Sequence, residues 1–160
     1  MSKRKPLTLP ALNPAGVQTI SGSGYPPEFA KRMGDRVKRK LGDACGLTHM
    51  GVNLVTLGPG GQSALRHWHT SEDEFVYVLE GELALVTNGG EQTLTAGMAA
   101  GFPAGKRDAH HFVNRSHAPA HYLEIGERIE RDNAFYPDDD VLWVETEKGI
   151  IAAHKDGRPY

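Results

Sequence analysis

From residue 47 to residue 125 the chain is a succession of short extended runs, each closed by a turn signal. Residues 50–57, 63–69, 74–79, 82–87, 92–94, 109–114 and 121–125 read as strands. No helical period of useful length interrupts them. Short strands with frequent turn signals build a sandwich or a barrel. The punctuation is explicit: G-P-G-G at 58–61, T-S-E-D at 70–73, Gly81, and Asn88-Gly89-Gly90. Asn-Gly suits a two-residue hairpin with positive φ at both central positions. Nineteen glycines and ten prolines agree with a turn-rich, all-β chain.

The flanks read differently. Residues 1–46 are expected to form an extended arm that packs on the barrel or on a partner subunit, with one helical turn after Pro26-Pro27. Residues 36–41 fit either the rest of that helix or a strand. The basic run Arg36, Lys38, Arg39 and Lys40 is expected to be a solvated face, because no aromatic platform or nucleic-acid motif accompanies it. Residues 47–126 make the barrel, and residues 127–160 a tail that wraps it, anchored by Val141, Leu142, Trp143 and Val144. The aspartates at 138–140 are expected to form a solvated turn.

At 160 residues there is enough chain for one core without staples. A net charge of −2 gives no general pull towards nucleic acid or membrane. No signal-peptide core or membrane-length apolar run is present, so the expected location is cytoplasmic. The single cysteine, Cys45, excludes an intrachain disulfide framework, fits a reducing compartment, and is expected to be a small buried thiol.

Chemistry concentrates between Gly61 and Gly81. His67 and His69 are one residue apart, so on a strand their imidazoles share a face. Glu74 is five positions on, an odd offset that would reverse its face on a straight strand. The turn at 70–73 removes the objection, because Glu74 then opens the next antiparallel strand and faces the histidines. Two imidazoles and a carboxylate converging in a barrel interior are costly to bury without an ion. A fourth ligand can come from His110 or His111. Adjacent strand residues face opposite ways, and parity alone does not choose between them.

The run Gly61…His67-x-His69…Glu74…Gly81 resembles the first signature of the cupin superfamily, G-x5-H-x-H-x4-E-x6-G, at every spacing. Residues 97–114 resemble the second, G-x5-P-x-G-x2-H-x3-N, with Gly97, Pro103, Gly105, His110 and Asn114. They depart from it by two extra residues between Gly105 and the histidine. The histidine-to-asparagine spacing is kept only by His110; the longer loop leaves His111 as the alternative. The resemblance spans roughly residues 50–126. It implies a double-stranded β-helix (a jelly-roll barrel), a metal held by His67, His69, Glu74 and His110, and commonly a homodimer.

Three imidazoles and one carboxylate suit a divalent Fe, Mn, Ni, Co or Zn ion. One carboxylate against a dication leaves the site near +1, which favours a small anionic or enediol-forming ligand. Lys106 and Arg107 sit in the loop expected near the barrel mouth and are candidates to hold a phosphate or carboxylate. Tyr77 is three residues past Glu74 and should face away from the metal. The leading expectation is a metal-dependent isomerase acting on a small polar substrate such as a sugar phosphate. A cupin-type dioxygenase and a non-catalytic ligand-sensing module are the alternatives.

Overall fold

A computed structural model of the chain describes residues 7–147 and 149–160, the Glu145 side chain excepted. The first six residues of the expected arm lie outside the described residues. The strands are β1 (Ile20–Ser21), β2 (Arg36–Lys40), β3 (Met50–Leu57), β4 (Trp68–His69), β5 (Glu74–Glu80), β6 (Glu82–Thr87), β7 (Gly90–Thr95), β8 (Ala99–Phe102), β9 (His111–Val113), β10 (Ala120–Glu127), β11 (Ala134–Phe135), β12 (Leu142–Thr146) and β13 (Gly149–Ala153). A six-stranded sheet in the order β1-β2-β3-β10-β5-β8 faces a three-stranded sheet, β7-β6-β9. Two ribbons, β4-β11 and β12-β13, complete an all-β jelly roll.

Alternation along the strands assembles the core. On β5, Val76 and Val78 are buried, while Phe75, Tyr77 and Leu79 stand exposed on the outer face. The inward residues of the large sheet, Val55, Leu57, Val76, Val78, Ala120 and Tyr122, meet Leu83, Leu85, Leu94 and Phe112 of the smaller one. Glu74 shares parity with Val76 and so points inward, opposite Tyr77. A second cluster, Met33, Leu65, Tyr136 and Val141, with Tyr25, Phe29 and Trp143 beside it, joins the flanks to the barrel.

Two glycines of the first signature are demanded by packing. A Cβ on Gly61 would lie 2.8 Å from the Met33 carbonyl oxygen and 2.9 Å from Leu57 Cδ1. Gly81 turns between β5 and β6 at φ +78°, where a side chain would also crowd the Ala120 backbone.

Several expectations need correction. The hairpin at 88–89 is present, with Thr87 paired to Gly90, but its positive φ belongs to Gly90 (φ 115°), not to Asn88 and Gly89. Residues 63–69 are not one strand. Only Trp68–His69 qualifies, supported by isolated bridges Gln62–Val113 and His67–His110. Cys45 is exposed, because the short helix Leu41–Ala44 carries it out of the core. The basic run is not a solvated face throughout. β2 pairs with β3, which turns Arg36 and Lys38 towards the barrel interior, in line with Leu57 and Val55. The aspartate triplet does lie in a bend with Asp138 and Asp140 exposed, but its carboxylates are also latches: Asp138 holds Arg66, Asp139 holds Arg32, and Asp140 holds His154 and the Lys155 amide.

Candidate metal centre

Antiparallel pairing builds the site. The His67 amide donates to the His110 carbonyl at 3.1 Å, and the His110 amide returns to the His67 carbonyl at 2.8 Å. This two-bond bridge fixes two histidines 43 positions apart in the sequence side by side. Two residues on, His69 lies in β4, held by Ala134 of β11. Glu74 opens β5 between Gly126 of β10 and Phe102 of β8.

Their tips converge on one oxygen. Glu74 Oε2 lies 3.1 Å from His110 Nε2 and 3.6 Å from the Nε2 of both His67 and His69. His67, His69 and Glu74 each offer an atom within 4.8 Å of the others, and His110 joins them through Glu74. The side chains are well shielded, with 6% of His110 and 20% of Glu74 exposed. Burial alone would push the Glu74 carboxyl up. The facing His110 and His67 outweigh it and hold the group far below the usual carboxylate range. Burial likewise opposes charge on His67, but Glu74 and the Leu65 carbonyl carry it upward on balance. Burial dominates at His110 and lowers it.

Two rings are oriented from behind. His67 Nδ1 donates to the Leu65 carbonyl at 2.7 Å. His69 Nδ1 donates to Asp132 Oδ2 at 2.5 Å. With the proton on Nδ1, each ring presents a lone pair at Nε2, the nitrogen facing Glu74. Asp132 is itself fixed: its Oδ1 accepts from the Ser71 amide (2.8 Å), the Thr70 hydroxyl (3.2 Å) and the Glu72 amide (3.3 Å). Burial would raise the Asp132 carboxyl, and the His69 bond together with the Ser71 amide brings it below its ordinary value. His110 is oriented by stacking, its ring 3.4 Å from that of Phe102 and nearly parallel.

The donor set fits a divalent transition ion. Glu74 Oε2 and His110 Nδ1 are buried atoms without a hydrogen-bond partner, and the orphaned carboxylate oxygen sits where three imidazole nitrogens point. Such an oxygen is costly unless a cation satisfies it. His69, Glu72 and Asp132 form a second group within 4.8 Å. There, however, Asp132 is already saturated by hydrogen bonds, which leaves the Glu74 group as the better cage.

Of the cavities that touch the cluster, two are lined by its histidines as well as by Glu74. The first, about 280 Å³, is lined by His69, Glu74 and His110, with Glu72, Lys106 and Asp108 among its polar groups. Burial pushes the Glu72 carboxyl up, although the Ile129 amide donates to it at 2.8 Å. The second, about 240 Å³, is lined by His67 and Glu74 together with Tyr25, Arg36, Lys38, Glu124 and Trp143.

The structure therefore brings His67, His69, Glu74 and His110 together. His111 points elsewhere, its Nδ1 at 3.1 Å from the Ala64 carbonyl. Lys106 lines the first cavity, whereas Arg107 lies over the Trp68 ring, its guanidinium carbon 5.6 Å from the centroid. The longer loop before His110 is pinned to the β6–β7 hairpin: Asp108 accepts from the Asn88 amide, and the Asn88 side chain donates to the Arg107 carbonyl. Sequence reasoning missed Asp132, Phe102, Arg36 and Lys38. No spacing rule links residue 132 to residue 69; the alternation of β2 was the one signal available for Arg36 and Lys38.

The family described as the cupin domain matches residues 53–126. A solved cupin-superfamily structure from Silicibacter pomeroyi, described as a sugar phosphate isomerase, is 43% identical. It has a TM-score of 0.88 and covers 94% of this chain and 96% of its own. An Acidithiobacillus ferrooxidans protein, provisionally named a sugar phosphate isomerase, is 31% identical. Its TM-score is 0.69, with coverage of 79% and 80%. The polyketide cyclase RemF of Streptomyces resistomycificus shares the fold at 21% identity and a TM-score of 0.56, over 79% of this chain and 80% of its own. No curated protein matches the chain. Both signatures, the two-sheet barrel, the family match and the likeness along nearly the whole chain agree: the chain belongs to the cupin superfamily.

Proposed function

We propose that this protein is a metal-dependent isomerase of small polar substrates of the sugar-phosphate type. The observation that carries the reading is the Glu74 carboxylate oxygen with three imidazole Nε2 atoms 3.1–3.6 Å away. His67, His69, Glu74 and His110 would hold the ion, and a divalent ion there supplies Lewis-acid polarisation of a carbonyl oxygen. The names of two similar solved structures, those from Silicibacter pomeroyi and Acidithiobacillus ferrooxidans, support an isomerase over other cupin chemistries. The cavity sizes, about 280 and 240 Å³, support a small substrate, since ligand pockets commonly span about 300–1,000 Å³.

An aldose–ketose interconversion takes a proton from the hydroxyl-bearing carbon beside a carbonyl and returns it to the former carbonyl carbon, while the hydroxyl proton passes to the former carbonyl oxygen. Glu72 is the group suited to carry it. It lines the first cavity, one of its oxygens lies within 4.8 Å of a His69 nitrogen, and the Ile129 amide fixes its Oε1. Phe102 and Leu85 make the apolar part of the same cavity and limit water around the reacting carbons.

The test is an NMR assay in D2O. Protein loaded separately with Fe, Mn, Ni, Co or Zn is incubated with a panel of aldose and ketose phosphates. Interconversion with deuterium incorporated next to the carbonyl is expected, as is its loss in Glu72→Gln with metal content retained. An unchanged panel with every metal refutes the reading. Oxygen consumption with diols or thiols would replace it with dioxygenase chemistry.

A further inference from the structure

Arg36 is a feature of the barrel interior that the ligand cluster does not account for. Its strand is the second of the large sheet, and its register opposite Leu57 turns it inward. Arg36 is half-buried, and guanidinium groups drawn out of water are normally matched to carboxylates. Among the described residues Arg36 has no carboxylate partner. It donates instead to two backbone carbonyls, that of Ser63 and that of Gly22 (2.9 Å). Its Nε is buried and without a partner. The carbonyl bonds hold the guanidinium in place and leave its charge uncompensated.

The neighbourhood adds to that charge. Lys38, one inward position further along β2, lines the same cavity. Its ammonium meets Glu124 at 2.7 Å, and Asn53 shares that carboxylate at 3.1 Å. Lys38 and Glu124 therefore nearly cancel, and of the remaining charges on this cavity, Arg36 and Glu74, the guanidinium is the one with no partner of opposite charge in contact. The Tyr25 hydroxyl lies within the field of Arg36 and completes a polar rim, with Trp143 as the apolar side. The first cavity is the opposite case. Its lining holds one lysine, Lys106, with the carboxylates of Glu72, Glu74 and Asp108. In the second cavity the two cations balance Glu124 and Glu74 and Arg36 is left unpaired, whereas in the first the carboxylates outnumber the one lysine, so an anion is opposed less in the second.

We propose that Arg36, supported by Lys38 and Tyr25, holds the phosphate group of the substrate in the second cavity. A guanidinium already fixed on carbonyls keeps donor capacity for a phosphate oxygen and loses little side-chain freedom on binding it. His67 and Glu74 line this cavity and Glu74 also lines the first, so a molecule held here by its phosphate has to extend past Glu74 to bring its reacting carbons to Glu72. This assignment rests on the sugar-phosphate reading for its substrate class and relocates the anion site from Lys106 and Arg107 to β2.

The experiment uses the full chain, metal-free, titrated with inorganic phosphate and in parallel with acetate. Binding is followed by calorimetry and by the Arg36 side-chain 15Nε resonance. Phosphate is expected to shift that resonance and to bind more tightly than acetate. Arg36→Gln should weaken phosphate binding about tenfold or more, a loss of at least ~1.4 kcal/mol. Arg36→Lys should retain most of it, and Lys106→Gln should change it by less than about twofold. Far-UV circular dichroism checks that the variants fold; if Arg36→Gln does not, the resonance in the unaltered protein decides. An unmoved Arg36 resonance, tighter acetate binding, or a loss confined to Lys106→Gln overturns the proposal. Phosphate binding together with an unreactive sugar-phosphate panel would overturn the isomerase reading and leave the anion site standing. A reactive panel without an Arg36 response would do the reverse.

Discussion

Replacing Asp132 by asparagine tests how the site is oriented, because the change is nearly isosteric and leaves every proposed ligand in place. In the native arrangement Oδ1 accepts from the Ser71 amide, the Thr70 hydroxyl and the Glu72 amide, while Oδ2 accepts from His69 Nδ1 at 2.5 Å. An asparagine has one oxygen. Three donors converge on the Oδ1 position and only one on the other, so the amide oxygen takes Oδ1 and the NH2 faces His69. A donor opposite Nδ1 forces that nitrogen to accept, and the imidazole proton moves to Nε2. Nε2 is the atom 3.6 Å from Glu74 Oε2, the one needed for coordination. Loss of such an outer partner typically weakens metal binding about 10–100-fold, roughly 1.4–2.7 kcal/mol. Competition against a chromophoric chelator with Co or Zn reads the affinity. Long-range 1H–15N spectra of the metal-free protein read the tautomer directly, Nε2-unprotonated in the native chain and Nε2-protonated in Asp132→Asn. Native-like affinity, or an unchanged His69 tautomer, would refute the orientation argument.

Other consequences can be measured independently. Saturating metal at about 100 times its Kd should stabilise the fold by about 2.7 kcal/mol, an increment that His67→Ala and Glu74→Ala should abolish; thermal melts with and without the ion decide. Gly61→Ala places a Cβ 2.8 Å from the Met33 carbonyl oxygen and 2.9 Å from Leu57 Cδ1, and should cost about 1–3 kcal/mol in urea denaturation; a neutral result would show that this packing can yield. The Asp138 carboxyl is held below its ordinary value of 3.8 chiefly by its paired hydrogen bonds from Arg66. Its contribution is present above that value and disappears as pH falls through the lowered folded value. Asp138→Asn should therefore lower stability near neutrality by about 0.5 kcal/mol, discounted for solvent exposure, and narrow the gap to the native chain below pH 3.8; a parallel offset at all pH values would contradict it.

The barrel and the grouping of His67, His69, Glu74 and His110 were legible in the sequence for a definite reason. Strand alternation and glycine placement are local signals, and the first signature packs its chemistry into 21 consecutive residues, 61–81. Glu74 could be set opposite the histidines from the intervening turn alone. The choice between His110 and His111 depended on a bridge between residues 67 and 110, which parity within one strand does not encode. What remained hidden was long-range. Asp132 lies in a charged stretch that resembles solvent-facing tail, and it meets His69 only because β11 returns to pair with β4. Arg36 and Lys38 look like surface charges in composition. Their inward direction follows from the pairing of β2 with β3, and their partners, Ser63 and Glu124, come from distant parts of the chain. The partners of the aspartate triplet stayed hidden for the same reason, since Arg32, Arg66 and His154 are invisible as partners until the flanks fold back.

The most direct test of the account is anomalous diffraction at the absorption edge of a metal loaded into crystals of the protein. One peak per chain is predicted, at coordination distance from the Nε2 atoms of His67, His69 and His110 and from a Glu74 carboxylate oxygen. A peak bound instead by His69, Glu72 and Asp132, or no peak at full loading, would contradict it.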